Sequence, residues 1–143
     1  MPVTTEKHIP INAQNGHSKC LLCGNLNPRS LNLSFLADGT GGVRTEFKAH
    51  NELQGYDDIL HGGVIASLLD AAMTHCLFHH GVQAVTADLH VRFVKPVSCN
   101  VSLEIRACVL SSYPPLYRLR AEILLDKHVM AWAEAKFIQR RVV

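Results

Sequence analysis

A long apolar segment in the middle of the chain constrains the fold more than any other feature. From Val64 to Phe78 the only formally charged side chain is Asp70, and nearly every helical face of the segment is apolar or small. A helix of that kind is buried on all sides. Its larger apolar side chains share one arc, namely Val64, Ile65, Leu68, Leu69, Ala72, Met73 and Cys76. We therefore predict a buried central helix over Gly62 to His80, ended by Gly81.

The segments on either side of this helix alternate between apolar and polar residues with a period of two, which is typical of half-buried strands. Before the helix, 31–35 and 43–47 alternate around a turn at 38–42. After it, the alternating runs are 85–93, 101–109, 117–125 and 129–137. Short links between successive strands predict antiparallel hairpins. The expected fold is α+β, with one curved antiparallel sheet of about six strands around one long helix.

Length and composition narrow the class of protein. A chain of 143 residues allows one domain, expected over 1–143 with an N-terminal extension over 1–28. A net charge of +2 without charge blocks argues against nucleic-acid binding. The polar start from Met1 to His17 and the odd count of 5 cysteines favour a cytoplasmic protein with reduced thiols. The longest apolar stretch, Val64 to Met73, is too short to cross a membrane.

Asp70 is the most informative single residue, because an ionised carboxylate is costly to bury unless it is paired or functional. On a helical projection it shares its face with the small residues Gly63, Ala66, Ser67 and Thr74. A small-residue face lets a substrate or a second subunit approach the backbone closely. The alternative is a solvated helix face, against which the lack of any other charge in the segment argues.

Two glycines follow a histidine where the helix begins, at His61, Gly62 and Gly63. Unpaired backbone N–H groups and the positive end of the helix dipole favour negative charge at that point. Glycine lets a ligand come close to those donors. The motif predicts an oxyanion-type pocket for a carbonyl oxygen. A tight turn that packs a loop against the helix is the alternative.

The sequence HGGVIASLLD over 61–70 resembles the helix signature of the hotdog-fold acyl-CoA thioesterases of the phenylacetate-pathway and 4-hydroxybenzoyl-CoA type. The strand TADLHVRF over 86–93, followed by Lys95-Pro96, is similar to the strand after the helix in those enzymes. Cys20-Leu-Leu-Cys23-Gly24 also recurs in some relatives. The resemblance implies a hotdog fold and hydrolysis of an acyl-CoA thioester, with CoA as part of the substrate and no separate cofactor or metal.

The resemblance also implies a site built by two subunits of a homodimer, or of a dimer of dimers. The Gly62 N–H of one chain, beside His61 and Gly63, would polarise the thioester carbonyl. Asp70 of the other chain would activate water or attack the thioester directly. Thr86 falls where some relatives carry a serine that orients the water, and a hydroxyl can both donate and accept.

One position departs from the family pattern. Many relatives have an asparagine six residues before the histidine, where this chain has Gly55. Gln54 or Asn51 is close enough along the chain to replace it, and we expect Gln54 to contact the substrate. Arg92 and Lys95 are predicted to meet the phosphates of CoA, as basic side chains commonly do.

Two clusters of potential metal ligands are assigned structural roles. Cys20 and Cys23, with His17 three residues earlier, offer three zinc ligands. A closed zinc site needs four ligands and no second pair is present, so an N-terminal turn is favoured over a metal site. A histidine cluster is predicted to cap the last carbonyls of the helix. Its members are His75, His79 and His80.

Two other functions stay open. A hotdog 3-hydroxyacyl dehydratase or hydratase also pairs a histidine with an acid, but its helix start is usually rich in Pro-Gly, unlike His61-Gly62-Gly63. A non-catalytic acyl-CoA-binding regulator would carry an added DNA-binding helix pair, for which only about 20 N-terminal residues remain. Acyl-CoA hydrolysis is therefore the preferred hypothesis.

Overall fold

The computed structural model describes residues 16–141. Within that range one long helix, α1, spans Gly62–His79, and a short 3-10 helix spans Asn51–Leu53. The strands are β1 Leu36–Ala37, β2 Val43–Lys48, β3 Ala84–Phe93, β4 Ser102–Tyr113, β5 Leu116–Leu125 and β6 His128–Gln139. Residues 1–15, which hold about half of the predicted extension, and 142–143 lie outside the described residues. The predicted α+β arrangement of one helix and six strands is confirmed.

The six strands form one antiparallel sheet in the order β1-β2-β4-β5-β6-β3. The predicted hairpins β1–β2, β4–β5 and β5–β6 are confirmed, but a hairpin between β3 and β4 is wrong. The segment 94–101 between them leaves the sheet and pairs with the loop before α1. The Leu60 N–H donates to the Val97 carbonyl at 2.8 Å, and the Cys99 N–H donates to the Asp58 carbonyl at 2.9 Å. Strand β3 therefore forms one edge of the sheet, beside β6.

The predicted strand over 31–35 is wrong, because none of these residues pairs in the sheet and β1 begins only at Leu36. Leu33 lies in the core, but the ladder with β2 begins at Leu36. The Leu33 N–H donates instead to the Leu22 carbonyl at 2.9 Å. The alternation in the sequence therefore reflects the burial of alternate side chains. The backbone of this segment is hydrogen-bonded to the N-terminal segment and not to a strand of the sheet.

Two predicted chain breaks coincide with left-handed backbone. Asp126 and Lys127, between β5 and β6, have φ of 48° and 67°, as a two-residue hairpin turn of the favoured type requires. Gly81, just after α1, has φ of 73°, which a residue without Cβ adopts at no steric cost. The ends of β5 and α1 therefore follow from local turn chemistry.

Helix α1 packs across one face of the sheet, and its predicted apolar arc forms the core. The fully buried members of the arc are Leu68, Leu69, Ala72, Met73 and Cys76. They share one cluster with inward-facing side chains of β4, β5 and β6, namely Leu103, Ile105, Leu119, Ile123, Ala131, Ala133 and Phe137. Burial of a Leu or Met side chain contributes about 1.5–3 kcal/mol, so the arc holds the helix against the sheet. No helix in the described range combines the length and apolarity of a bilayer span.

Strand β3 differs from its prediction. The alternation predicts a half-buried strand, but most of β3 is exposed, with Val85 57% and Phe93 53% exposed in the single chain. The reason is its place at the edge of the sheet, where it has one neighbouring strand. An edge strand with apolar side chains and unpaired backbone groups is a surface on which another chain can pair.

Candidate active site

Asp70 on α1 faces the edge strand β3, where Thr86 meets it. The Thr86 hydroxyl donates a hydrogen bond to Asp70 Oδ1 at 2.5 Å. Burial raises the pKa of the Asp70 carboxyl above its usual value, and the hydrogen bond from Thr86 opposes that rise. Asp70 is therefore a half-buried, oriented carboxylate that is more basic than an exposed aspartate.

The face of α1 around Asp70 carries small side chains, and its two hydroxyl groups are hydrogen-bonded to carbonyls of the same helix. Ser67 Oγ donates to the Gly63 carbonyl at 2.8 Å, and Thr74 Oγ1 donates to the Asp70 carbonyl at 3.0 Å. The predicted face, which also includes Ala66, is exposed or half-buried in the single chain. Since both hydroxyls are satisfied by their own helix, Asp70 is the group on this face that reaches outward.

His61 caps the start of α1 with its own side chain. Its Nδ1 accepts from the Gly63 N–H at 2.8 Å, and its carbonyl accepts from the N–H groups of Val64 and Ile65 at 3.0 and 3.1 Å. Because Nδ1 accepts, the neutral ring carries its proton on Nε2. The Gly62 N–H has no partner among the described residues, so it is the donor that a ligand can use at this end of the helix.

Gly62 and Gly63 have different steric surroundings. A Cβ on Gly63 would lie 3.0 Å from Nδ1 and 3.1 Å from Cε1 of His61, so a side chain there would push the ring from its capping position. A Cβ on Gly62 would lie 3.5 Å from Cε1 of Phe93, which is an ordinary contact. The Gly63 N–H already donates to His61, so it is not free to bind a substrate. A substrate could contact Gly63 only by packing against its exposed Cα.

Gly55, at the position of the family asparagine, packs against the capping histidine. A Cβ on Gly55 would lie 3.5 Å from both Cα and Cδ2 of His61. With Tyr56 and Gly62 these residues line a cavity of about 420 Å³ at the helix start, in which a carbonyl group can approach the Gly62 N–H. A larger cavity of about 760 Å³ lies between the segments 28–34 and 45–53 and contains none of the predicted catalytic residues.

The two amide side chains predicted to replace the family asparagine both hold the loop together. Gln54 Oε1 accepts from the Asp58 N–H at 3.0 Å. Asn51 Oδ1 accepts from Asn100 Nδ2 at 2.9 Å. Both amides lie in the loop that leads to the helix start, and the contact of Gln54 with a substrate stays a prediction.

Gly62 and Asp70 lie far apart within one chain. They are eight residues apart on the same helix, which corresponds to about 12 Å. Reacting atoms need to approach to about 3–3.5 Å, so one thioester cannot meet both groups of the same helix. A site that uses the Gly62 N–H and the Asp70 carboxylate together needs two chains.

Arg92 and Lys95 are exposed near the end of β3. Arg92 lies opposite Trp132 in the pairing of β3 with β6, and the Lys95 N–H donates to the Met130 carbonyl at 3.1 Å. Neither side chain forms an ion pair with any residue of the described range. Both side chains are accessible to an anionic ligand, but no contact joins them to Asp70 or to the helix start.

Sequence reasoning missed two features of this region. The pairing of β3 with β6 contains a bulge between Thr86 and Asp88, and a bulge re-aims side chains at a sheet edge. Phe93 at the end of β3 lies over Gly62. The contact of Phe93 could have been suspected, because a large aromatic side chain ends the alternating run. The bulge could not, because no residue type in the sequence indicates it.

The histidines near the end of α1 do not act alike, and a capping role for His75 is wrong. His75 is buried between the rings of Phe35 and Phe78, with centroid distances of 4.7 and 5.2 Å. Its two ring nitrogens have no partner among the described residues, and burial lowers its pKa from 6.5 to about 4. His80 Nε2 instead lies 2.7 Å from the Gly41 carbonyl and ties the helix end to the β1–β2 turn.

Comparison with known proteins gives a family match for part of the chain and solved structures of similar fold. The family model of the thioesterase superfamily matches residues 58–112, a range that includes the helix start, Asp70 and Thr86. A crystal structure of a thioesterase superfamily protein, RHA08564, is 23% identical, covers 96% of this chain and 68% of its own, and superimposes with a TM-score of 0.80. A search of curated protein sequences gives no match.

Two further solved structures share the fold. The PaaI protein of the phenylacetic acid degradation operon of E. coli is 20% identical, with 71% of this chain and 74% of that chain covered and a TM-score of 0.67. A Streptococcus mutans protein bound to acetyl CoA is 18% identical, with 74% and 86% covered and a TM-score of 0.70. These comparisons agree with the resemblance drawn from the sequence: residues 58–112 match the thioesterase superfamily, and the chain shares the hotdog fold of the solved structures.

Proposed function

We propose that the chain is an acyl-CoA thioesterase that hydrolyses its substrate to a free carboxylic acid and CoA at a site shared by two copies. The observation that carries this proposal is the pair of groups on α1. Asp70 is an oriented carboxylate with a raised pKa, and Gly62 offers an unpaired N–H at the positive end of the helix. Their separation suits one site between two chains.

The proposed reaction uses both groups at once. The thioester oxygen accepts a hydrogen bond from the Gly62 N–H of one chain, where negative charge is stabilised as it develops. Asp70 of the second chain takes a proton from water while the water oxygen attacks the carbonyl carbon. The C–S bond then breaks and the departing sulfur receives that proton. In direct attack, an Asp70 oxygen bonds to the carbonyl carbon, the C–S bond breaks and CoA leaves as a thiolate, which takes a proton from water. Water then hydrolyses the resulting mixed anhydride to the free acid and regenerates the Asp70 carboxylate.

Thr86 and His61 act on these groups as positioning residues. Thr86 donates to one oxygen of Asp70, which leaves the second oxygen for water or for the carbonyl carbon. His61 uses Nδ1 to hold the first turn of α1. We assign no proton transfer to His61, because its accepting nitrogen is already occupied.

The edge strand β3 suits the contact between the two copies. Its exposed apolar side chains would be covered by a second β3, and pairing would satisfy the open edge. These side chains are Val85, Leu89 and Phe93, with Val94 just beyond. Since Thr86 and Phe93 belong to the same strand, contact along β3 would build the site and the dimer together. A dimer of dimers would use a further surface.

A CoA ester is the proposed substrate. The Streptococcus mutans relative is bound to acetyl CoA, and residues 58–112 match a thioesterase family. Arg92 on β3 and Lys95, two residues beyond its end, are accessible to meet phosphate groups. The reaction needs only water as a second reactant, so no separate cofactor is proposed.

A thiol-release assay across short, long and aromatic acyl-CoA esters tests the proposal. The wild-type chain should release CoA from at least one of these classes. Asp70→Asn should lose about 100-fold or more, the size of a general-base contribution, and should keep its fold. Asp126→Asn is the matched control, because Asp126 lies in the β5–β6 turn and asparagine accepts its positive φ.

Three outcomes would contradict parts of the proposal. Full activity of Asp70→Asn would remove Asp70 from the reaction while leaving the thioesterase assignment intact. Tight binding of a CoA ester in calorimetry without thiol release from any class would indicate a binding protein. Hydration of an enoyl-CoA without thiol release would indicate a hydratase.

A further inference from the structure

Three potential metal ligands converge in the N-terminal segment, away from the site described above. His17 Nδ1, Cys20 Sγ and Cys23 Sγ all lie within 4.8 Å of one another. We propose that these three atoms bind a Zn²⁺ ion. Thiolate and imidazole ligands together are the set that zinc prefers in proteins. The proposal is independent of the thioesterase activity.

The spacing of the three atoms suits a tetrahedral ion. Zn–S bonds of 2.3 Å and Zn–N bonds of 2.0–2.1 Å place a sulfur and a nitrogen ligand roughly 3.5 Å apart. The Cys23 Sγ to His17 Nδ1 distance is 3.6 Å. The Cys23 and His17 ligand atoms therefore already stand at coordination distance from each other, and Cys20 Sγ lies within 4.8 Å of both.

The backbone around the two cysteines is already folded into a tight turn. The Leu22 N–H points at Cys20 Sγ at 3.3 Å, and the Gly24 N–H donates to the Cys20 carbonyl at 2.9 Å. A Cβ on Gly24 would lie 2.6 Å from the Ser18 carbonyl oxygen, so only glycine fits there. An N–H directed at a sulfur stabilises a thiolate, which is the form that binds metal.

Charge also balances at this site. Two thiolates and a neutral imidazole carry a charge of about −2, which Zn²⁺ cancels, and binding releases the two thiol protons to solvent. His17, Cys20 and Cys23 are all half-buried, and a site with no net charge costs less to bury than one with two unpaired thiolates. The structure brings three ligands together where the sequence favoured a turn without metal. We assign the fourth position to water, so the proposed site is open and not the closed four-ligand type.

The ion would fasten the N-terminal segment to the rest of the fold. The His17 ring packs edge-on against Phe78 of α1 with a centroid distance of 4.8 Å. The Leu31 N–H donates to the Leu21 carbonyl at 3.0 Å, so the residue after Cys20 is hydrogen-bonded to the segment that leads into β1. Zinc would thus link the end of α1 to the start of the sheet.

Metal analysis of the full chain, purified under reducing conditions, tests the site. We expect about one zinc ion per chain, lost in His17→Gln and in the double variant Cys20→Ser/Cys23→Ser. Cys108→Ser is the matched control, since Cys108 is a free, exposed cysteine on β4. Co²⁺ added to the metal-free wild-type chain should give thiolate charge-transfer absorption and the visible bands of a tetrahedral ion.

The cobalt measurement keeps the proposal falsifiable if the cysteine variants do not fold. A reduced wild-type chain that takes up neither Zn²⁺ nor Co²⁺ would overturn the site. Equal zinc content in the folded double variant and in Cys108→Ser would overturn it as well. Co²⁺ spectra without thiolate absorption would exclude Cys20 and Cys23 as ligands.

Discussion

The hydroxyl of Thr86 on the edge strand β3 donates to Oδ1 of Asp70 on the central helix α1. This contact joins a helix face made of small residues to the strand that is least covered in the single chain. It also sets two effects against each other, because burial raises the pKa of Asp70 and the hydrogen bond lowers it. The hydroxyl therefore orients the carboxylate and limits the rise in its pKa that burial causes.

Thr86→Val removes that hydroxyl with little change in shape. We expect kcat to fall roughly 10- to 100-fold, because the carboxylate loses its fixed orientation. The pKa of Asp70 should rise further once the hydrogen bond is gone. Activity requires the ionised carboxylate and is lost as pH falls through this pKa, so the acid limb of the kcat profile should move to higher pH.

Thr86→Ser is the control for this prediction, because it keeps the hydroxyl. Its acid limb should stay where the wild-type limb lies. Identical pH profiles of the valine and serine variants would show that the hydrogen bond does not tune Asp70.

Gly62→Pro tests the unpaired N–H at the helix start. Proline suits the first position of a helix, where the N–H has no intrahelical partner, and His61 has the extended backbone that a residue before proline needs (φ −58°, ψ 131°). The variant should fold and lose about 10²–10³ in kcat, the cost of removing one oxyanion donor. Circular dichroism and the thiol-release assay together separate the two effects.

Gly62→Ala is the companion variant, because it keeps the N–H and adds a methyl group at an ordinary contact distance from Phe93. It should retain more activity than Gly62→Pro. If the proline variant folds and is as active as the alanine variant, the Gly62 N–H takes no part in the reaction.

Much of this site follows from the sequence for physical reasons. The arc that includes Leu68 and Met73 could be recognised because a helix buried on all sides leaves a continuous apolar pattern. Asp70 stood out for the same reason, as the one charge in that pattern. The turns at Gly81 and Asp126 could be predicted because glycine and aspartate are residue types that adopt the positive φ these turns need.

The rest depends on packing over long sequence separations. The alternation of β3 predicts a half-buried strand with Val85 on its apolar face, but it does not indicate that the strand lies at the edge of the sheet, where Val85 is exposed. The link over 94–101 resembles a hairpin connection until its pairing with Leu60 is known. His75 resembles a capping residue in the sequence, whereas its burial follows from the positions of Phe35 and Phe78.

The buried His75 should make the fold sensitive to acid. Burial and, to a smaller extent, the positive charge of a protonated His17 together lower its pKa from 6.5 to about 4. A lowered histidine pKa means that the unfolded chain binds the proton first, so stability falls as pH drops from 6.5 towards 4. The loss should be on the order of 3 kcal/mol.

Chemical denaturation as a function of pH measures this loss. His75→Leu should be much less acid-sensitive over the same range, because it has no group to protonate. The exposed His79 provides the control, and His79→Gln should keep the wild-type slope. Equal slopes in all three proteins would assign the acid sensitivity to other groups.

Mixed dimers test whether the site is shared between chains. Asp70→Asn and Gly62→Pro should each keep only about 1% of wild-type activity or less alone, since each lacks one of the two groups in every site. In a mixed dimer, the intact Gly62 of the first variant meets the intact Asp70 of the second, and one of the two sites is restored. Equal mixing with random exchange should therefore recover about a quarter of the wild-type activity. Exchange can be followed by native mass spectrometry. Mixed dimers that form without regaining activity would contradict a shared site. The Gly62 N–H and the Asp70 carboxylate would then act in different sites, or in one site within a single chain.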